Sequence, residues 1–271
     1  MKKTVPLIQV DAFSDRPFYG NPAAVCVTPQ PLPDTLMQHI ASEMNLAETA
    51  FLVKEEKGFH LRWFTPTTEV ELCGHATLAS AHVLWEKGLL PPDEVAMFRT
   101  LSGELTANRE GDDIVLDFPA KPANEVVQDD VKALFPDLEI LFLGKSDYDY
   151  LVVLEDEEAL IELHPDLNSM ADVDARGFIL TARSASSAYD YISRFFAPAA
   201  GVNEDSVTGS AHCTLAPYWS EVIGSSQLTG YQASARGGYV GTEFMGERVK
   251  LKGKAITVMW AEMLVPKFER E

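Results

Sequence analysis

Basic residues are scarce in this 271-residue chain: 22 Lys and Arg stand against 41 Asp and Glu, for a formal net charge of −19. Such a field repels phosphate backbones and anionic lipid headgroups, so neither nucleic acid nor a membrane surface is expected as a partner. Cysteine is scarcer still. Cys26, Cys73 and Cys213 form an odd set without C-x-x-C spacing, which argues against a disulfide framework and a structural zinc site. No window approaches the roughly eighteen apolar residues of a membrane span. The start, Met1-Lys2-Lys3-Thr4, carries neither a secretory apolar region nor a small-residue cleavage site. A cytoplasmic protein is the expectation.

Nucleotide and metal signatures are missing too. Gly144-Lys145-Ser146 has the look of the end of a phosphate loop, but Glu139 stands where its leading glycine belongs. No G-x-G-x-x-G, H-E-x-x-H or G-x-S-x-G occurs. Any chemistry is therefore expected to run without cofactor and without metal.

What the chain does have is 46% hydrophobic residues, enough for a substantial core. Its length suits one large domain or two ordinary ones. A weak internal repeat favours two. Phe51-Leu52-Val53, Arg62-Trp63-Phe64-Thr65-Pro66 and Gly74-His75-Ala76 are followed in the same order by Phe178-Ile179-Leu180, Arg194-Phe195-Phe196-Ala197-Pro198 and Gly209-Ser210-Ala211. The offset grows from 127 (Phe51 to Phe178) through 132 (Arg62 to Arg194) to 135 (Gly74 to Gly209), then holds for Gly103 with Gly238 and for Ile114-Val115-Leu116 with Val249-Lys250-Leu251.

Local patterns fill in each copy. Segments 49–53, 59–64, 95–101 and 114–118 are rich in β-branched and aromatic residues and read as strands. Ala76 to Trp85 is apolar or small nearly all round with Gly88 as a stop, the pattern of a helix buried inside a sheet or barrel. The second copy's helix, from Ser210 to about Ile223, contains Pro217, which predicts a kink or a split. An amphipathic helix over 34–44 places Leu36, Ile40 and Met44 on one stripe and leads into Asn45-Leu46-Ala47-Glu48.

Both long helices open on a glycine turn, Leu72-Cys73-Gly74-His75-Ala76 and Val207-Thr208-Gly209-Ser210-Ala211. A helix N-terminus offers unpaired N–H groups and a partial positive charge, and glycine lets a ligand approach the backbone. Two such ends facing each other would hold a carboxylate, supplying local anion affinity inside an acidic protein. Tight packing is the plainer role for either glycine. Glu48, at a helix-to-strand junction, is the first candidate for proton transfer, with capping or simple solvation as the alternative. Asp205 suits a helix cap equally well. His75 suits a general acid, a substrate donor or a structural histidine. Cys73 and Cys213 invite a two-thiol racemase, but Cys73 precedes its glycine whereas Cys213 lies four residues after Gly209.

Four ordered segments resemble the phenazine-biosynthesis PhzF-like family: Phe18-Tyr19-Gly20-Asn21-Pro22-Ala23-Ala24-Val25, Asn45-Leu46-Ala47-Glu48-Thr49-Ala50-Phe51, Leu72-Cys73-Gly74-His75-Ala76-Thr77 and Glu204-Asp205-Ser206-Val207-Thr208-Gly209-Ser210-Ala211-His212. The resemblance implies an α+β, diaminopimelate-epimerase-like fold of two similar, pseudo-symmetric domains. Each is a mixed β-sheet or barrel wrapped around a central helix, with the site between them. The expected limits are 1–119 and 120–271, with a final strand near 260–271 packing back on the first domain. It further implies a cofactor-independent isomerase acting on a small, cyclic carboxylic acid, in which Glu48 moves a proton. Gly74, His75, Asp205, Gly209 and Ser210 would bind the substrate, and a homodimer is expected. Related racemases use one cysteine per domain; the first such position is Cys73, but the second falls near Ser206, which also stands where the family usually has Pro. A noncatalytic metabolite-binding protein and a racemase using Cys73 with Glu48 are the alternatives.

Overall fold

The computed structural model describes residues 3–265. They form two compact units, one built from the residues up to Asp117 and from Lys252 onward, the other from Phe118–Leu251. The return to the first unit thus begins ahead of residue 260, and the part of the expected final strand beyond residue 265 lies outside the described residues. Among the described residues no helix is long and apolar enough to cross a membrane.

In the first unit β1 (Lys3–Ala12) runs antiparallel to β2 (Asn21–Thr28). The loop joining them ends at Gly20, whose φ is +68° and whose missing Cβ would lie 2.1 Å from the Ala12 carbonyl oxygen, so only glycine fits. Helix α1 (Asp34–Met44) buries Leu36, Met37, Ile40 and Ala41 along one stripe and stops at Asn45, in the left-handed region at φ 50°. The chain then enters β3 (Glu48–Lys54), parallel to β2 from Ala23↔Glu48 onward. Next come β4 (Phe59–Phe64) and the short β5 (Glu69–Val70), each antiparallel to its predecessor. Helix α2 (Gly74–Glu86) follows and crosses to β6 (Ala96–Thr100), parallel to β4. Strands β7 (Gly103–Glu110) and β8 (Asp113–Pro119) complete an antiparallel meander. Ten of the thirteen α2 residues are buried, against β1, β2, β3 and β7 among others, which is why the helix is apolar all round. Its buried hydroxyls, Thr77 and Ser80, donate to the carbonyls of Cys73 and Ala76 one turn back.

The second unit repeats this order. After β9 (Asn124–Glu125) and α3 (Asp129–Lys132), β10 (Ile140–Lys145) pairs antiparallel with β11 (Asp149–Leu154). Two short helices, α4 (Glu157–Glu162) and α5 (Leu167–Ala171), stand in place of α1 and lead to β12 (Gly177–Arg183), parallel to β11. Then β13 (Tyr191–Ala197) and β14 (Val202–Asp205) pair antiparallel, α6 (Gly209–Ile223) crosses to β15 (Gln227–Gln232) parallel to β13, and β16 (Gly238–Phe244) and β17 (Arg248–Gly253) follow. The chain returns to the first unit as β18 (Ala255–Val265), antiparallel to β1 with a bulge between Gln9 and Val10.

The repeat reaches side chains. Arg62 on β4 grips Glu69 on β5 through Nε (2.6 Å) and Nη2 (2.7 Å); Arg194 on β13 grips Glu204 on β14 through the same atoms (2.7 and 3.0 Å). Each guanidinium also lies over the phenylalanine two residues on, Phe64 or Phe196. One fork-shaped ion pair thus staples the hairpin that leads into each central helix.

Helix α6 is not split by its proline. It is continuous from Gly209 to Ile223 with Pro217 inside. Pro217 cannot donate to the Cys213 carbonyl four residues back, and the Lys121 N–H donates to it instead, at 2.9 Å. A donor from a distant segment replaces the lost helix bond.

Candidate active site

Glu48 is the first residue of β3, placed by the left-handed Asn45 that ends α1. The next four strand residues are buried, but Glu48 keeps its side chain 19% exposed. Cys73 is the extended N-cap residue of α2, and Gly74 and His75 are the first two residues of that helix. No side chain caps it. The positive end of the α2 dipole is therefore left to whatever else approaches.

Three of the residues singled out in the sequence meet here. Glu48 Oε2 lies 3.1 Å from Nε2 of the buried His75. At the other ring nitrogen, Nδ1 lies 3.5 Å from Cys73 Sγ and 3.3 Å from the side-chain amide Nδ2 of Asn21. Burial pushes the Cys73 thiol up to about 11, and the Glu48 charge adds to the effect, so Cys73 is a neutral thiol at pH 7. Burial also works against a charge on His75, but the Cys73 and Glu48 groups more than offset it and raise its affinity for a proton well above the ordinary histidine range. The Glu48 carboxylate stands within ion-pair distance of the ring at Nε2.

The ligand atoms of Glu48, Cys73 and His75 all lie within 4.8 Å of one another, a donor set that could attract a thiophilic cation. The carboxylate and the sulfur, however, approach different nitrogens of the ring.

The remaining candidates cluster in the second unit. Asp205 ends β14 and accepts a hydrogen bond from Thr208 Oγ1 at 2.5 Å. Thr208, not Asp205, is the N-cap residue of α6. Fully buried Gln232 closes the turn: its Nε2 donates to the Asp205 carbonyl (2.8 Å) and its Oε1 accepts from the Thr208 N–H (2.8 Å). Gly209 opens the helix, again without a side-chain cap, and Ser210 Oγ accepts from Arg176 Nη2 at 3.1 Å. Arg176 is itself held by the buried carboxylate of Asp149, with Nε to Oδ1 at 2.8 Å and a second, shorter contact from Nη2.

Thr208 is the N-cap residue of α6 as Cys73 is of α2. Cys213 lies one turn inside α6 with its thiol directed at the Gly209 carbonyl, and is buried. No symmetric thiol pair is formed among the described residues.

Asn21, Arg176 and Gln232 were not singled out as site residues. Asn21 carried a signal, a polar residue heading the apolar run Pro22-Ala23-Ala24-Val25-Cys26. Arg176 and Gln232 carried none, because their partners lie 34 and 24 residues away along the chain.

The profile of the family described as Phenazine biosynthesis-like protein matches residues 10–261. An uncharacterized isomerase of Halalkalibacterium halodurans is 49% identical over 263 residues, 97% of this chain and 99% of that protein. The human phenazine biosynthesis-like domain-containing protein is 40% identical over 283 aligned positions, covering 94% and 97% of the two chains. Among solved structures, a PhzF-family protein from Enterococcus faecalis superimposes with a TM-score of 0.92 at 38% identity, over 97% of this chain and all of that one. A hydroxyproline epimerase from Agrobacterium vitis, at 10% identity and a TM-score of 0.60 over 98% of this chain and 94% of that one, shares the fold alone. Matched along nearly its whole length, the chain belongs to the phenazine biosynthesis-like PhzF family and is an isomerase of the diaminopimelate-epimerase-like fold.

Proposed function

We propose that this isomerase works without a cofactor, shifting a proton on a small cyclic carboxylic acid, with Glu48 as general acid and base. The observation that carries the reading is the pairing of a partly exposed Glu48 with buried His75 at 3.1 Å, at the uncapped N-terminus of α2. Glu48 takes a proton from a carbon next to an unsaturated system, and the C–H electron pair moves into that system. Glu48, whose proton exchanges with solvent, then protonates a different carbon, so no oxidant or reductant enters. Charge built up in the substrate falls near backbone donors of Gly74 and His75 and the positive end of the helix, a pre-arranged electrostatic stabilisation. Asp205, Gly209 and Ser210 are assigned to substrate binding on the family resemblance. The uncapped start of α6, with Ser210 oriented by Arg176, suits a carboxylate.

The contact of Cys73 with His75 favours a second reading, a racemase in which Cys73 shares the work with Glu48. A thiol pushed up to about 11 is a poor base at neutral pH and weighs against it. Proton NMR in deuterated water, with a panel of cyclic hydroxy, amino and dihydroaromatic acids, separates the readings. Wild type is expected to introduce deuterium at carbon, Glu48→Gln to lose this at least a hundredfold, roughly the worth of a general base, and Cys73→Ala to retain it. Exchange that survives Glu48→Gln overturns the proposal, loss in Cys73→Ala favours the racemase, and binding without exchange by wild type favours a metabolite-binding protein.

A further inference from the structure

We propose that Glu48, Cys73 and His75 form a binding site for one thiophilic divalent cation of the zinc class, held by the carboxylate, the thiolate and one imidazole nitrogen. Two observations point to a ligand at this place. His75 is 5% exposed and Glu48 Oε2 is shielded from water, yet neither His75 Nε2 nor Glu48 Oε2 makes a hydrogen bond among the described residues, although they stand 3.1 Å apart. Buried polar atoms are seldom left so, and a bound ion is one of the few arrangements that accounts for them. The third donor is at hand as well, since Cys73 is buried and its Sγ lies within 4.8 Å of ligand atoms of both neighbours.

The spacings suit an ion. Usual zinc bond lengths and a tetrahedral angle put nitrogen and oxygen of one shell about 3.3 Å apart, and nitrogen and sulfur about 3.6 Å apart. Here the nitrogen–oxygen contact is 3.1 Å, at Nε2, and the nitrogen–sulfur contact 3.5 Å, at Nδ1. One ion takes one ring nitrogen, so one of these contacts is exchanged on binding. In a set no wider than 4.8 Å, the outermost donor moves by about 1 Å to join the shell, a displacement within reach of a side-chain torsion of Cys73 or Glu48. Thiolate and imidazole select a zinc-like ion over the hard magnesium and calcium, which take oxygen ligands.

Charge and access agree with this. Binding releases the Cys73 thiol proton, and the proton that His75 holds, to solvent. The Cys73 and Glu48 anions then balance the two charges of the ion. A net charge of −19 draws cations toward the protein, and the 19% exposed Glu48 side chain gives an approach from solvent. If Glu48 is the proton carrier, as proposed above, an occupied site is an inhibited one, because the ion takes the lone pair that would receive the substrate proton.

The test reads the ion itself and needs no substrate. Wild-type protein free of added thiols is titrated with Cd²⁺, whose bond to a thiolate gives a charge-transfer absorption in the ultraviolet, and Zn²⁺ is then added as competitor. One equivalent of Cd²⁺ is expected to produce the band and Zn²⁺ to remove it. Cys73→Ser is expected to abolish the band, and Cys26→Ala and Cys213→Ala to keep it. Glu48→Gln is expected to weaken Cd²⁺ binding at least about tenfold, the least that losing even the partner of a ligand costs. A wild type without the band overturns the proposal, as does a band that survives Cys73→Ser or an affinity indifferent to Glu48→Gln. If Cys73→Ser does not fold, Glu48→Gln, changed at a partly exposed position, decides. A missing band leaves the deuterium test of Glu48 untouched, whereas a band lost in Glu48→Gln beside undiminished deuterium exchange sinks the proton role and keeps the ion site, so the two readings fail separately.

Discussion

The twin ion pairs offer a controlled comparison, because the same constellation occurs with different burial. Arg194 is 10% exposed in its side chain, and its partner Glu204 24%. Its Nη1 also donates to the carbonyls of Leu160 (3.1 Å) and Leu163 (2.6 Å), at the C-terminal end of α4, where a cation complements the helix dipole. Replacing Arg194 with Met keeps apolar volume but strands a half-buried carboxylate and two carbonyls. Breaking a buried pair typically costs about 3–5 kcal/mol, and the residual water at Glu204 puts this case at the low end, about 3 kcal/mol. Arg62 is 21% exposed, Glu69 25%, and its further partner Asp34 75%. Water can replace much of what Arg62→Met removes, so about 1–2 kcal/mol is expected. Urea unfolding followed by circular dichroism measures both, with Trp219 fluorescence reporting on the second unit. At about 2–4 °C per kcal/mol, Arg194→Met should lower Tm by roughly 6–12 °C. Equal losses, or a larger loss from Arg62→Met, would refute the view that burial and the extra carbonyl contacts set the value of each staple.

Further expectations come from single positions. Pro217→Ala should change stability by less than about 1 kcal/mol, because the carbonyl that proline leaves unpaired already accepts from Lys121; a gain near the roughly 3 kcal/mol assigned to an interior proline would contradict this. Gly20→Ala should destabilise by at least about 2 kcal/mol in thermal unfolding, from positive φ and the clash with the Ala12 carbonyl. Burial lowers His212 from the ordinary 6.5 to about 4. Its neutral form in the folded state gives full stability above pH 6.5, and roughly 3 kcal/mol of it is lost as pH falls from 6.5 to about 4, because the unfolded chain binds that proton first. His212→Asn should flatten the stability profile in that window, and an unchanged slope would rule the histidine out as its source.

Features that depend on near neighbours could be read from the chain alone. Helix α1 runs from Asp34 to Met44 as its stripe predicts, since its apolar spacing and its left-handed stop at Asn45 lie within the segment. The duplication was legible as ordered matches, and the structure turns them into equivalent elements: Gly103 and Gly238 each open a strand, and Gly74 and Gly209 each open a central helix. Glu48, Cys73 and His75 could be named from their turns. Their order in space could not, because the distances between them depend on how β3 and α2 pack.

The parts that escaped the sequence share one cause, a partner far along the chain. Pro217 predicts a broken helix until Lys121 is brought to the Cys213 carbonyl. Asn21 stands 54 residues before the histidine it touches, and Arg176 stands 34 before Ser210. Local propensity and periodicity come from interactions within a few residues, so the linear order of amino acids settles the elements, the repeat and the chemical types at the turns. Substitutes for a missing helix bond and the neighbours of a partly exposed carboxylate come from long-range packing. Those were settled when the strands closed around α2 and α6 and brought distant donors and acceptors within three ångströms or so of each other.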